Sequence, residues 1–176
     1  MNLYLRLLKL LLLLPFVRRR EIFAESRLWF RVWPNDCDLN LHMNNGRYLT
    51  FMDLGRVHLL AQAGALRVVM KNRWMPVLSA AEINYIRPLA PLAKFRLVTR
   101  MLTWDEKYFY MEQRFEQGEA LCALATVRGL FVANRRPLPS ADVLRALGID
   151  ALAPNMPALV RHWKEMTELK KQRAPG

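Results

Sequence analysis

Asp36, Asp38, His42, Asn44 and Asn45 stand close together in the stretch NDCDLNLHMNNGRYL, from Asn35 to Leu49, and the chain then turns apolar. A carboxylate beside a helix start can act as a nucleophile or as a base. The unpaired N–H groups there, with about half a positive charge, stabilise a carbonyl oxygen that gains charge under attack. The same residue types also cap helices and form Asx-turns, so a loop that only closes a helix end is the competing reading. A metal site from Asp36, Asp38, His42 and His58 would have no familiar ligand spacing. Cys37 lies between two carboxylates, which should raise its thiol pKa and disfavour the thiolate, so it is not read as a nucleophile.

These residues need a strand before them and a helix after them, and the periodicities supply both. In RLWFRVW, Leu28, Phe30 and Val32 alternate with Arg27, Trp29, Arg31 and Trp33, the period-2 pattern of a strand with one face in the core. Pro34 ends it. Beyond Asn45, Tyr48, Met52, Gly55 and Leu59 fall on one helical line and Phe51, Leu54, His58 and Ala61 on the next, with Gly64 as the stop. So wide an apolar arc predicts an enclosed helix.

A short helix is expected around Ala65 to Asn72, followed by strands. One lies in PVLSAAEINYIRPL and closes at Pro88. Another, KFRLVTRML, turns Phe95, Leu97 and Met101 one way and Lys94, Arg96 and Arg100 the other. WDEK and Gly118 then punctuate two further strands, YFYMEQRFEQ and EALCALATVRGLFV, as antiparallel hairpins. RRPLPS reads as a linker into C-terminal helices, the last with a stripe of Leu159, Trp163, Met166 and Lys170. An antiparallel sheet must cover its apolar face, and the long helix is the available cover. One helix covers such a sheet incompletely, which predicts edges and faces taken by a second subunit.

The chain of 176 residues has room for one core with extensions at its ends. Its net charge of +12 makes anionic partners plausible. No basic recognition helix, aromatic stacking motif or finger pattern accompanies that charge, so nucleic-acid binding is disfavoured. Two cysteines, Cys37 and Cys122, make no disulfide framework, and a reducing, cytoplasmic location is expected. The start, MNLYLRLLKLLLLLPFVRRR, resembles a signal peptide, but Arg6 and Lys9 interrupt it and no small-x-small site follows. From Leu3 to Val17 a helix would be roughly 22 Å long, short of the ~30 Å core of a bilayer. Two readings stay open: a segment lying in an acidic membrane interface through Arg18-Arg19-Arg20, giving peripheral association, or a helix packed on the domain or on a partner subunit. The expected units are the N-terminal helix over 1–20, the main domain over 21–138 and a helical extension over 139–176.

The stretch D-C-D-L-N-L-H-M-N-N-G-R-Y-L resembles the D-x-D-x-x-G-H-x-N-N-x-x-Y signature of hotdog-fold acyl-CoA thioesterases of the 4-hydroxybenzoyl-CoA thioesterase type. INYIRPL, LVTRMLTWDEKYFYMEQRF and RHWKEM extend the resemblance, from about Arg27 to Trp163, toward the thioesterase superfamily member 6 branch, whose members also carry a hydrophobic N-terminal segment. It implies an α+β hotdog fold: a long central helix wrapped by an antiparallel sheet of five to six strands, with N- and C-terminal helices, paired into dimers or further into tetramers. By position, Asp38 matches the family's nucleophile or base for water, Asn45 the residue whose backbone N–H holds the thioester carbonyl, and His42 the motif histidine, in an orienting role. Leu41 departs from the pattern, standing where the family often has glycine before that histidine. That change could reshape the loop, narrow the pocket or weaken activity.

The chemistry implied is hydrolysis of an acyl-CoA thioester with no cofactor beyond the coenzyme A of the substrate. A carboxylate near its ordinary pKa of ~3.9 is a weak base, but a thioester is an activated acyl donor. Asp36 is expected to shape the loop, and Asp53 to pair with Arg56 while serving as the reserve carboxylate. Arg87, Arg100 and Lys107 are candidates to meet the coenzyme A phosphates, and the apolar surplus suits a medium or long fatty acyl group. The competing function is a non-catalytic hotdog protein that binds acyl-CoA or lipid at a membrane surface, which Leu41 keeps open. A hydratase on the same fold fits the carboxylate-first motif less well.

Overall fold

The computed structural model describes residues 2–172, with side chains from Tyr4 onward. Residues 173–176 of the expected C-terminal extension, Arg173 among them, lie outside the described residues. Strand β1 (Ser26–Arg31) leads through the motif loop into helix α2 (Asn45–Gln62), which follows the N-terminal helix α1 (Asn2–Leu13) in chain order. Helix α3 (Ala65–Lys71) comes next, then strands β2 (Met75–Tyr85), β3 (Lys94–Trp104), β4 (Phe109–Gln117) and β5 (Ala120–Ala133). The sheet runs β1-β3-β4-β5-β2, and all of these pairs are antiparallel. This is the α+β, helix-in-sheet arrangement that the periodicities predict.

The helical lines meet the sheet as expected. Tyr48, Phe51, Met52, Leu54 and Leu59 of α2 are buried against Phe95 and Leu97 of β3 and Phe115 of β4. Phe51 meets Phe95 edge-on at 5.1 Å between ring centres, a geometry favoured by the ring quadrupoles. At Gly55 helix and sheet nearly touch: an added Cβ would stand 2.5 Å from Thr99 Oγ1 and 2.8 Å from Gln113 Nε2. Gln113 is fully buried, donates to the Met52 carbonyl and to Thr99 Oγ1, and accepts from Arg56, so the contact is polar and satisfied.

Two expectations need correction. The presumed linker RRPLPS contains a strand, β6 (Arg136–Pro137), which pairs with the end of β5. The turn between them holds Asn134 and Arg135 at φ 49° and 63°, the left-handed pair that suits a tight hairpin. The C-terminal helices are α4 (Ser140–Ala146) and α5 (Ala158–Gln172). Helix α5 does pack on the domain, but only Trp163 of the predicted stripe faces it. Val160 and Trp163 are buried with Tyr110, whereas Leu159 and Met166 are exposed. The face is turned because α5 must also cover Arg128, a fully buried guanidinium on β5 that donates to Glu168 at 2.8 Å and lies 4.3 Å from the centre of the Tyr108 ring. Burying that charge demands a partner, and α5 supplies it.

At the other side of the sheet β2 is an edge of eleven residues with Met75, Val77, Leu78 and Tyr85 exposed. Helix α1 also divides. Arg6, Leu7, Leu10 and Leu14 turn toward the domain, and Tyr4, Leu5, Leu8 and Leu12 are exposed. No described helix is long and apolar enough to cross a membrane.

Candidate active site

The motif loop is a miniature hairpin. Asp38 N–H donates to the His42 carbonyl, Cys37 bridges Met43, and Asn44 N–H donates to the Asp36 carbonyl. Three successive residues on each arm are thereby aligned, with Asp38 and His42 nearest the tip and Asp36 and Asn44 nearest the helix. The Asn44 side chain accepts from Gly46 N–H at 2.9 Å and so caps α2. Asn45 is the first helical residue, and its own N–H has no partner among the described residues. A free N–H at a helix start can donate to a carbonyl oxygen placed against it.

The two motif carboxylates differ in environment. Asp36 has a fully buried carboxylate that takes two hydrogen bonds from Arg6, at 3.0 and 2.7 Å, and one from Trp33 N–H at 2.8 Å, with Arg47 3.7 Å away. It is a structural anchor, as its motif position suggests. Asp38 is about a quarter exposed. Its Oδ1 accepts from Asn40 N–H at 2.9 Å and lies 3.7 Å from His42 Nδ1. His42 thus stands beside Asp38, in reach to orient it. Desolvation first, and then Asp36 and Asp38, push the Cys37 thiol up, which disfavours a thiolate.

Leu41 occupies its special position without blocking anything. Its φ is 57°, the left-handed conformation for which glycine is the ordinary residue, and its side chain is 73% exposed. The loop keeps the glycine-like shape, and the leucine points to solvent rather than narrowing a pocket.

Tyr85 links this loop to the sheet. Its hydroxyl donates to the Asn45 carbonyl at 3.1 Å, and its ring meets Tyr48 edge-on at 5.0 Å. Burial pushes the Tyr48 phenol up to about 12, so it stays protonated. No local pattern marks Tyr85, because the contact depends on where β2 ends relative to α2. Of the three phosphate candidates, exposed Arg87 lies two residues beyond Tyr85, near this end of α2. Arg100 is paired with Glu112 at 2.8 Å, and Lys107 sits over the Tyr108 ring in the β3–β4 turn at the far end of the sheet.

A cavity of about 310 Å³ opens under the C-terminal half of α2, between that helix, α3 and the strands β2 and β5. Its walls include Val57, Leu60, Val77 and Phe131, and its charged lining residues are Asp53 and Arg56. Asp53 pairs with Arg56, as the i,i+3 spacing predicts, and Arg56 also donates to the buried Gln113 at 3.0 Å. Asp38 is not among the residues lining this cavity. The structure therefore separates the motif carboxylate at the α2 N-terminus from the helix carboxylate at the apolar cavity. His58 belongs to neither group and bonds Ser26 Oγ at 2.7 Å. Among the described residues, no cluster of three or more His, Cys, Asp or Glu is placed to hold a metal ion.

Residues 32–163, from the end of β1 into α5, match the family described as the thioesterase-like superfamily. The chain belongs to that superfamily. The family is described as thioesterase-like, in keeping with the enzyme class expected from the sequence. Protein THEM6 of Danio rerio is 41% identical over 102 residues, a stretch covering 54% of this chain and 48% of that protein. This chain thus matches about half the length of that relative. A probable thioesterase from Bartonella henselae superposes with a TM-score of 0.60 at 27% identity, over 66% of this chain and all of the other. A gentisyl-coenzyme A thioesterase shares the fold at a TM-score of 0.59 and 20% identity, covering 69% of this chain and 97% of its own. The hotdog fold is the common architecture.

Proposed function

We propose that the protein hydrolyses the thioester of a medium- or long-chain acyl-CoA to free acid and coenzyme A, with Asp38 as nucleophile or general base. The observation that carries this reading is the hairpin that presents the quarter-exposed Asp38 on the same loop as the Asn45 N–H, which has no partner among the described residues, at the start of α2. The carbonyl oxygen would sit against that N–H and the positive end of the helix while the carboxylate attacks or activates water. His42 holds the carboxylate's orientation. No cofactor enters beyond the coenzyme A of the substrate. The gentisyl-coenzyme A thioesterase of the same fold is consistent with a coenzyme A thioester as the substrate class.

In this reading the acyl tail runs from the Asn45 N–H along α2 to the apolar cavity beside Asp53, which Asp38 does not line. An engineered cavity of about 150 Å³ holds a six-carbon benzene ring, so one of about 310 Å³ suits roughly ten to twelve carbons. Active dimers would form through the open β2 edge, whose exposed Met75, Val77 and Leu78 are the expected contact. A second reading, with Asp53 as the working carboxylate, is favoured by its place on the cavity wall.

Thiol release from acyl-CoA esters of graded length separates these readings. Asp38→Asn should lower kcat by about 100- to 10,000-fold and Asp53→Asn should leave most of it. Unchanged turnover in Asp38→Asn with loss in Asp53→Asn would move the chemistry to the helix carboxylate. Saturable acyl-CoA binding without any thiol release would favour a binding protein.

A further inference from the structure

Helix α1 packs on the domain with one narrow face and leaves the other uncovered. Leu10 is buried and Arg6, Leu7 and Leu14 are half-buried, whereas Tyr4, Leu5, Leu8, Leu12 and, just beyond the helix, Phe16 are 53–83% exposed. So contiguous an apolar surface is unusual on a soluble molecule and marks a place of contact. Its electrostatics narrow the choice of contact. The first twenty residues contain five basic residues and no acidic one, and Lys9, Arg18, Arg19 and Arg20 are all exposed. A groove of about 420 Å³ beside the helix end is lined by Phe16, Val17, Arg18, Arg20, Arg27 and His58, with Glu25, which is already paired to Arg27 and Arg114.

We propose that this face of α1 is a docking surface for an anionic phospholipid bilayer, the leucines and Phe16 entering the acyl boundary and Arg18–Arg20 meeting the headgroups, with the groove seating one of them. A twelve-residue helix is about 18 Å long, too short to span a bilayer but suited to lying along its surface. A second copy of the chain, itself strongly basic, offers these arginines no matching negative surface in a parallel two-fold contact, whereas an anionic bilayer meets all three. The opposite face of α1 is tied to the motif loop: Arg6 bonds Asp36 and lies 4.5 Å from the centre of the Phe51 ring on α2. Docking therefore ties the motif loop and the start of α2 to the lipid surface through Arg6.

Vesicle co-sedimentation of the full chain tests the proposal without any substrate, so failure of the hydrolytic reading would not affect it. The protein should bind vesicles of phosphatidylglycerol mixed equally with phosphatidylcholine, bind pure phosphatidylcholine much more weakly, and be released by salt. Replacing Arg18, Arg19 and Arg20 by Gln should weaken binding about a hundredfold. Leu8→Gln with Leu12→Gln, both at exposed positions that leave the fold intact, should weaken it about tenfold or more. No association with the mixed vesicles, or a leucine variant that binds as tightly as the native chain, would overturn the proposal. So would a leucine variant that keeps its lipid binding but falls to a smaller oligomer in ultracentrifugation, which would make the face a subunit contact.

Discussion

Arg6, on the N-terminal helix, closes two hydrogen bonds on the carboxylate of Asp36, at 3.0 and 2.7 Å, across thirty residues of chain. Asp36 in turn accepts from Trp33 N–H and, through its carbonyl, from Asn44 N–H, so one buried ion pair joins α1, the strand end and the helix cap. Arg6→Ala takes two charged hydrogen bonds from the buried Asp36 carboxylate and leaves it Arg47 at 3.7 Å, and Asp36→Asn takes the opposite charge from half-buried Arg6. Arg6→Ala and Asp36→Asn should each lower stability by about 3 kcal/mol, read as a lower midpoint in urea. Arg6→Lys should lose less, since it keeps the charge but not the forked geometry.

Leu41 holds a left-handed backbone that glycine adopts freely, and its exposed side chain contributes little packing. Leu41→Gly should be neutral or stabilising by up to about 1 kcal/mol, the relief of the left-handed conformation being offset by the greater freedom of glycine in the unfolded chain. Thiol release should be retained. A large loss of stability in this variant would mean that the leucine side chain makes a contact in the assembled protein.

Gly55 stands where α2 and the sheet leave no room for a side chain, with Leu97 Cδ2 only 2.9 Å from an added Cβ. Alanine gains about 1 kcal/mol in helix propensity but must displace Thr99 or Gln113, whose hydrogen bonds are buried. Gly55→Ala should therefore be net destabilising by about 1–3 kcal/mol in chemical denaturation. An increase in stability would show that the helix can shift outward without loss.

Burial holds the His58 imidazole below its ordinary value. The unfolded chain then takes up the proton more readily, so stability rises with pH in the range where the two states differ. The contribution of His58 is complete above about pH 6.5 and is lost as the pH falls toward the folded value. Thermal melts should show a fall in midpoint on acidification from neutral pH, and His58→Gln should flatten that slope. An unchanged slope would place the titrating group elsewhere.

Much of the scaffold is legible from local pattern. The alternation in RLWFRVW, the two apolar lines from Tyr48 to Ala61 and the left-handed Gly64, at φ 72°, each declare themselves within a few residues. Dihedral preference and the face a side chain presents are set by near neighbours. The same locality explains where pattern misleads. In α5 the leucine and methionine stripe is locally convincing, yet the helix is turned by Arg128, which lies forty residues from its partner Glu168. The brief β6 strand depends on a hairpin turn whose residues, Asn134 and Arg135, have no glycine to announce it.

The amino-acid sequence by itself determined the order of the longer elements, the motif loop and its place before a buried helix, because these rest on periodicity, capping and steric limits that act over three or four residues. The tertiary structure decided which carboxylate is buried and which is presented. It also seated Arg6 on the loop and Tyr85 against Asn45, set the cavity beside Asp53, and left one face of α1 uncovered. Those relations join residues thirty or forty positions apart. They arise only when strand register and helix docking are fixed together, since burial and electrostatic pairing depend on the whole packed surface and not on any segment of it.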